Sequence, residues 1–329
     1  MNGAGASDPL LSVRDLTVVT SGQEHGRLEL LQRVSFDLRA SELVGLVGES
    51  GAGKTLLAHA VLRLLQGATT IDGGEVVFDG QDLVRMSDSQ LDDVRGRRIG
   101  LIPQDASLAL NPVLRVEDQL TEVIRRHLDL RSSAVRQRAI DVLERVGLAA
   151  PERVMHSYPS ELSGGMKQRV GIALALACDP VLLLADDPTS AVDVTIQAQI
   201  LAELSELTRR TGVAILFITH DLRVISAVCS RVLVLYGGQL VEEGPVEGIL
   251  ARPRHPYTGA LIACTPSVES RARPLPVVPG ASPTDPGTLS GCRFHPRCTH
   301  ALDGCSTERP MLLPVPGGRH LACWNPLDG

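Results

Sequence analysis

The sequence predicts an α/β fold: a parallel, doubly wound sheet followed by a small proline-rich region. Three observations carry this. Apolar runs of strand length alternate with helix-period stretches through most of the 329 residues. A glycine-rich phosphate-loop pattern stands where one such run ends and a helix begins. Thirteen of the 21 prolines fall after residue 252, which places a boundary near Leu250 and a loop-dominated tail beyond it.

The elements follow in order. Residues 43–47 are a short apolar strand, and after a glycine-rich stretch residues 56–65 read as a helix. Residues 98–102 form a second strand. Residues 117–127 and 133–146 have apolar positions at helical spacing, for instance Val135, Ala139, Val142 and Val146. Residues 181–185 and 214–219 are apolar strands, with a helix over 196–209 between them. Residues 232–236 and 239–243, turning at Gly237 and Gly238, read as a hairpin.

Composition excludes several classes. Hydrophobic residues make up 43% and charged residues 21%, ordinary values for a chain with enough apolar material for a core. No apolar run reaches the roughly 18 residues of a membrane span. The first ten residues lack the basic start and apolar stretch of a secretion signal, so a soluble, cytosolic protein is expected. A net charge of -6 argues against nucleic-acid binding through a general basic surface. Lysine occurs only at Lys54 and Lys167 against thirty arginines, so each lysine is a candidate for required chemistry. Four of the seven cysteines, Cys292, Cys298, Cys305 and Cys323, crowd the tail. In a reducing compartment that points to metal before disulfides. Cys178, Cys229 and Cys264 read as apolar filler.

Gly48-Glu49-Ser50-Gly51-Ala52-Gly53-Lys54-Thr55 fits GxxxxGK[ST] in the strand-to-helix context that the pattern requires. Its glycines let successive N–H groups turn inward around a triphosphate, and the helix N-terminus adds partial positive charge. Lys54 would reach the β- and γ-phosphates, and Thr55 would ligate Mg²⁺. The apolar strand before Asp186 ends in a carboxylate suited to hold the same ion. Between them, Leu162-Ser163-Gly164-Gly165-Met166-Lys167-Gln168-Arg169 starts a helix running to Cys178, with Ser163 as its N-cap. This is a second anion-receptive helix start.

With these motifs the chain resembles the ATP-binding subunits of ABC transporters, whose signature is LSGGQ followed by a basic residue. Met166 stands in the glutamine slot. The resemblance covers residues 10–250 with the motifs in family order. Gln104, in Ile102-Pro103-Gln104, matches the Q-loop that contacts Mg²⁺, Ser190-Ala191-Val192-Asp193 matches the D-loop, and His220 matches the switch histidine. It implies an ABC-type P-loop ATPase: a RecA-like core, an antiparallel edge sheet and a helical subdomain at about 105–165 within an ATPase domain over residues 1–250. It also implies ATP and Mg²⁺ as cofactors, with Gly48, Ser50, Gly51, Gly53, Lys54, Thr55 and Asp186 lining one half of each site. Ser163, Gly164, Gly165 and Asp193 of a second ATPase chain would complete the other half.

Two further departures from the family matter. Where a glutamate usually follows the Mg²⁺-binding aspartate to orient or deprotonate the attacking water, this chain has Asp187. Aspartate is one methylene shorter, and a misplacement of about 1 Å can cost on the order of 100-fold in rate. A weakened catalytic site is therefore expected, unless Asp187 acts through a second water or a backbone shift. Residues 10–31 also hold no Phe, Tyr or Trp for stacking adenine; the slot falls near Thr20.

His255-Pro256-Tyr257-Thr258, followed by Ala260-Leu261-Ile262, is similar to the segment after the ATPase core in the oligopeptide/dipeptide/nickel importer subfamily. The spacing C-x5-C-x6-C-x17-C over Cys292, Cys298, Cys305 and Cys323 suits Zn²⁺ or an iron–sulfur cluster. His295 and His300 could substitute as zinc ligands, and two disulfides are a third choice. The subfamily resemblance implies a [4Fe-4S] cluster within a C-terminal region over residues 251–329. It further implies two transmembrane permease subunits and an extracytoplasmic substrate-binding protein, with this chain at the cytoplasmic face of a bacterial membrane, while the departure at Asp187 predicts a heterodimer with a paralogous ATPase that carries the usual glutamate.

Overall fold

A computed structural model of the chain describes residues 8–22, 26–105, 109–190, 192–265, 278, 280 and 286–328. Ala191 of the expected D-loop and residues 106–108 of the expected helical subdomain lie outside them. In chain order the elements begin with β1 (Leu11–Gly22), β2 (Gly26–Leu38), β3 (Leu43–Val47), α1 (Lys54–Val61), β4 (Thr69–Phe78), β5 (Gln81–Asp82), α2 (Asp88–Val94) and β6 (Ile99–Ile102). Next come α3 (Val116–His127), α4 (Ser132–Arg145), α5 (Pro151–His156), α6 (Gly164–Leu176), β7 (Leu182–Asp186), α7 (Val194–Thr211) and β8 (Ala214–Thr219). The chain continues with α8 (Leu222–Val228), β9 (Arg231–Tyr236), β10 (Gln239–Pro245), α9 (Val246–Ala251), α10 (Pro256–Ala263), β11 (Leu313–Val315) and β12 (Arg319–Leu321).

These elements fall into two compact units, residues 1–39, 44–85 and 219–329 in one and residues 40–43 and 86–218 in the other. The first unit holds an antiparallel sheet in the order β2-β1-β4-β5. Along β1 the buried side chains Leu11, Val13, Leu16 and Val18 keep one face inward. Register shifts between Val13 and Leu16 and again before Val18 break the strict period of two. In the same unit β3 runs parallel to β9, and β9 turns back antiparallel into β10. Glycines at positive φ, Gly237 and Gly238, make that turn, as the sequence predicts.

The tail extends this arrangement. Strand β12 pairs antiparallel with β10, Glu242 opposite Leu321 and Glu243 opposite His320, and β11 pairs with β12. The expectation of a loop-dominated tail thus misses two strands. They are three residues each, too short for a periodic pattern to register. A fully buried ion pair locks the joint. Glu242, 0% exposed, pairs with Arg319 and accepts the Arg254 and His255 backbone N–H groups at 3.0 Å each. Both charges are out of water, so the pair depends on these additional hydrogen bonds to offset desolvation. His255 then caps α10, its Nδ1 accepting the Tyr257 N–H at 3.0 Å. Burial lowers the pKa of His255 to about 3, which keeps the ring neutral and Nδ1 an acceptor.

The second unit is built on the parallel strands β6, β7 and β8 in register, Ile99 beside Leu182 and Leu182 beside Ala214. Their side chains are almost completely buried, Leu182 to Ala185 and Ala214 to Ile218 at 0%. That all-apolar content is what a sheet covered on both faces requires. Helices α3, α4 and α5 lie within the span expected for a helical subdomain.

Element ends differ from the sequence expectation by a few residues. Helix α1 opens at Lys54, inside the glycine pattern, and stops at Val61 because Arg63 turns left-handed, at φ 51°. Helix α7 reaches back to Val194, where the Asp193 carboxylate accepts the N–H groups of Thr195 and Ile196 at 3.0 Å each.

Candidate functional site

In the first unit, β3 delivers the chain into the phosphate loop and α1 carries it away. Gly53 takes φ 99° immediately before α1 and offers no side chain to cap that helix, leaving its N-terminus turned toward the loop. Gly48 lies so close to β9 that a Cβ there would sit 2.2 Å from the Leu235 carbonyl oxygen, so only glycine fits. The Lys54 Nζ donates to the Gly48 and Glu49 carbonyls, at 2.9 Å each, and stands over the centre of the loop. Ser50, Gly51 and Thr55 are exposed on it.

Sequence reasoning does not anticipate what holds this loop from behind. The Tyr257 hydroxyl of α10 accepts the Glu49 N–H at 2.8 Å. The Arg297 guanidinium grips the Glu49 carboxylate with two bonds, of 2.7 and 3.1 Å, and also donates to the Tyr236 hydroxyl at 3.2 Å. The HPYT segment contains Tyr257, but a sequence pattern marks only its presence. His220, which follows Thr219, belongs to this unit and is exposed. Thr20, the expected adenine slot, lies in β1 opposite Leu28 and Thr69.

In the second unit Asp186 ends β7 and is 4% exposed. Asp187 follows at 7% exposure with a left-handed φ of 42°. Its N–H donates to the Ile218 carbonyl at 2.8 Å. Its own carbonyl accepts the Ser190 N–H at 3.1 Å and the Ser190 hydroxyl at 3.0 Å. The two carboxylates therefore sit on a turn with little freedom. Gln104 follows β6 and is exposed. Ser163 caps α6, its hydroxyl accepting the Met166 N–H at 3.3 Å. Space around Gly164 is open: a Cβ there would meet nothing within 4 Å. The signature start also lies against the start of α7, where a Cβ on Gly165 would be 3.5 Å from Ile196 Cγ2. Arg169, by contrast, faces inward. It is 7% exposed and binds both Glu203 carboxylate oxygens, at 2.6 and 2.7 Å. It therefore braces α6 against α7.

Cys292, Cys298, Cys305 and Cys323 line one small cavity in the first unit together with His255, His295 and His300. The Cys292 N–H donates to the Cys305 carbonyl at 2.9 Å, tying the first and third cysteines. Burial pushes the Cys292 thiol up to about 11 and the Cys323 thiol up to about 12, so both are protonated at neutral pH. All seven cysteines are free thiols. Four thiols around one cavity is the donor chemistry of a thiolate-held metal. The placement does not fit: among the described residues no group of three or more His, Cys, Asp or Glu is arranged to hold a metal ion. The thiols share a cavity without standing in a ligating arrangement, so neither the expected [4Fe-4S] centre nor its zinc alternative is shown.

The profile of the family described as "ABC transporter" matches residues 31–190, and that of "Oligopeptide/dipeptide transporter, C-terminal region" matches residues 241–305. A probable peptide ABC transporter ATP-binding protein of Sinorhizobium fredii is 44% identical over 97% of this chain and 95% of its own length. This chain belongs to the ABC transporter ATP-binding proteins, in their oligopeptide/dipeptide branch. The dipeptide transport ATP-binding protein of Escherichia coli is 40% identical over 97% of each chain. Among solved structures, the ATP-binding cassette MJ0796, a dimer bound to ADP and Pi, aligns with a TM-score of 0.65 at 27% identity. That alignment covers 72% of this chain and 98% of the cassette. This ABC ATPase thus has the cassette fold and ATP-hydrolysing class that the motifs imply. Among the described residues no helix is long and apolar enough to cross a membrane.

Proposed function

We propose that this ATPase powers a bacterial ABC importer for dipeptides or oligopeptides, working at the cytoplasmic face with two transmembrane permease subunits and an extracytoplasmic substrate-binding protein. The observation that carries it is the C-terminal region, matched to the oligopeptide/dipeptide type and continuous in sequence with the region matched to the ABC transporter family. In this reading residues 1–250 are the ATPase domain and residues 251–329 the transporter-type extension. Gly48, Ser50, Gly51, Gly53 and Lys54 receive the phosphates, and Thr55, Gln104 and Asp186 hold Mg²⁺. Ser163, Gly164, Gly165 and Asp193 face the nucleotide of a second ATPase chain, a paralogue carrying the usual glutamate. His220 and Asp187 address the γ-phosphate and the attacking water.

The test is uptake into vesicles carrying the complex with its permease and ATPase partners. ATP-dependent accumulation of a labelled peptide is expected, with unlabelled peptides competing. Accumulation of a nickel chelate that peptides do not inhibit would replace the substrate, and failure to assemble with any membrane subunit would favour a soluble ABC ATPase.

For the tail, a [4Fe-4S] cluster on Cys292, Cys298, Cys305 and Cys323 requires the four thiols to close in further than they stand. Its support is that all four line one cavity. Protein purified without air should be brown and hold about four irons per chain. One zinc per chain would replace the cluster, and metal-free protein would remove both.

A further inference from the structure

Glu49 is the residue on which the C-terminal region and the phosphate loop meet, and all its groups are engaged. Its N–H donates to the Tyr257 hydroxyl, 2.8 Å away. Its carbonyl, like that of Gly48, receives Lys54 Nζ at 2.9 Å, and it also accepts the Ala52 N–H at 3.1 Å. Its carboxylate is held by Arg297 from the segment between Cys292 and Cys298. Tyr257 is 0% exposed and Arg297 is 9% exposed, so neither can swing away without opening the surrounding packing.

That packing is specialised. The chain has eight aromatic rings besides histidine, and three of them gather here. The Tyr236 ring lies 4.5 Å from Tyr257 and 5.1 Å from Phe294, centroid to centroid, and Tyr257 lies 5.4 Å from Phe294. Phe294 and Arg297 belong to the same cysteine-bounded segment. Arg293 in that segment, 1% exposed, donates to the Gly237 carbonyl of the β9–β10 turn and to the Glu29 carbonyl at 2.8 Å. The next residue of the turn, Gly238, donates its N–H to the Ala52 carbonyl of the phosphate loop at 2.8 Å. One short segment therefore reaches the loop twice, directly through Arg297 and by way of the hairpin turn through Arg293.

We propose that Arg297 and Tyr257 are positioning residues for nucleotide binding, which act through Glu49 to set the phosphate loop from the C-terminal region. Two physical effects follow from the geometry. The Gly48–Glu49 peptide is fixed in orientation, so the loop N–H groups and Lys54 converge before the phosphates arrive and less ordering is left to be done on binding. Arg297 also neutralises a carboxylate that would otherwise repel a triphosphate from within the loop. The inference rests on the reading that this loop binds ATP.

The experiment titrates the full-length chain with a fluorescent ATP analogue and Mg²⁺, for wild type, Lys54→Ala, Arg297→Gln, Tyr257→Phe, Glu49→Gln and the Glu49→Gln/Arg297→Gln pair. Arg297→Gln should weaken binding roughly tenfold, about 1.4 kcal/mol, and Tyr257→Phe by a few-fold. Because Arg297 acts through Glu49, the double variant should bind no worse than Glu49→Gln alone, a non-additivity that general damage to the fold would not give. Arg297→Lys, which keeps the charge, should recover part of the affinity. If Lys54→Ala binds like wild type, the nucleotide site itself is misplaced and the inference falls with it. If Lys54→Ala loses binding while Arg297→Gln and Tyr257→Phe bind like wild type, or if the Glu49 and Arg297 effects simply add, this inference alone is overturned.

Discussion

Lys54→Ala is expected to abolish ATP-dependent peptide uptake by the assembled transporter. Lys54 is the only lysine in the first unit, since Lys167 belongs to the second. It stands over the loop by bonding the Gly48 and Glu49 carbonyls at 2.9 Å. A triphosphate entering the loop would take over those ammonium protons, and the point charge would offset the charge on the β- and γ-phosphoryl oxygens. Alanine removes that charge from the loop. Uptake and ATP turnover measured in vesicles should both fall to background, with the folding midpoint nearly unchanged because the Lys54 side chain is only half-buried. Full uptake by the variant would refute the assignment.

Ser163→Arg is expected to stop nearly all ATP turnover in the complex, whereas Asp187→Asn should change it little. The contrast follows from the shared geometry of two ATPase chains. Ser163 opens α6 on an exposed surface beside Gly164, where there is room for a phosphate to approach. In the proposed heterodimer this start completes the partner's nucleotide site, so a bulky cation there damages the site that carries the usual glutamate. Asp187 belongs to this chain's own site and is one methylene short. A compensating backbone shift is opposed by the bonds of its N–H to Ile218 and of its carbonyl to Ser190. In the asymmetric reading its carboxylate stays back from the attacking water, at a cost on the order of 100-fold. Single-turnover and steady-state ATP hydrolysis of the reconstituted complex read both variants. Loss of most activity in Asp187→Asn alone would make Asp187 a working base and end the asymmetric reading.

The sequence exposes most of the second unit. Strands β7 and β8 are uninterrupted apolar runs because the sheet is buried on both faces, and the intervening helix keeps its period. The phosphate loop was legible for another reason: its glycines serve backbone geometry that other residues cannot adopt, so composition and spacing carry the signal directly. The long strands β1, β2 and β4 were reached only through the family resemblance. In β1 the pair Arg14-Asp15, with Asp15 at φ 46°, interrupts the alternation where the register slips, so no clean period of two survives. The clamp on Glu49 was illegible for a simpler cause. Tyr257 and Arg297 stand 208 and 248 residues away from it in sequence, and nothing local to either residue declares the partner.

The pairing of β12 with β10 changes what the composition boundary near Leu250 means for anyone who would cut the chain there. Removing the tail would strip β10 of its neighbour and leave a row of backbone donors and acceptors along an apolar edge that includes Leu240 and Val241, open to another chain. It would also take away Arg319, the Arg254 N–H and the His255 N–H, the groups that hold the Glu242 carboxylate in the intact chain. A residue 1–250 fragment is therefore expected to self-associate, and the proline-rich extension is part of the compact unit that bears the phosphate loop.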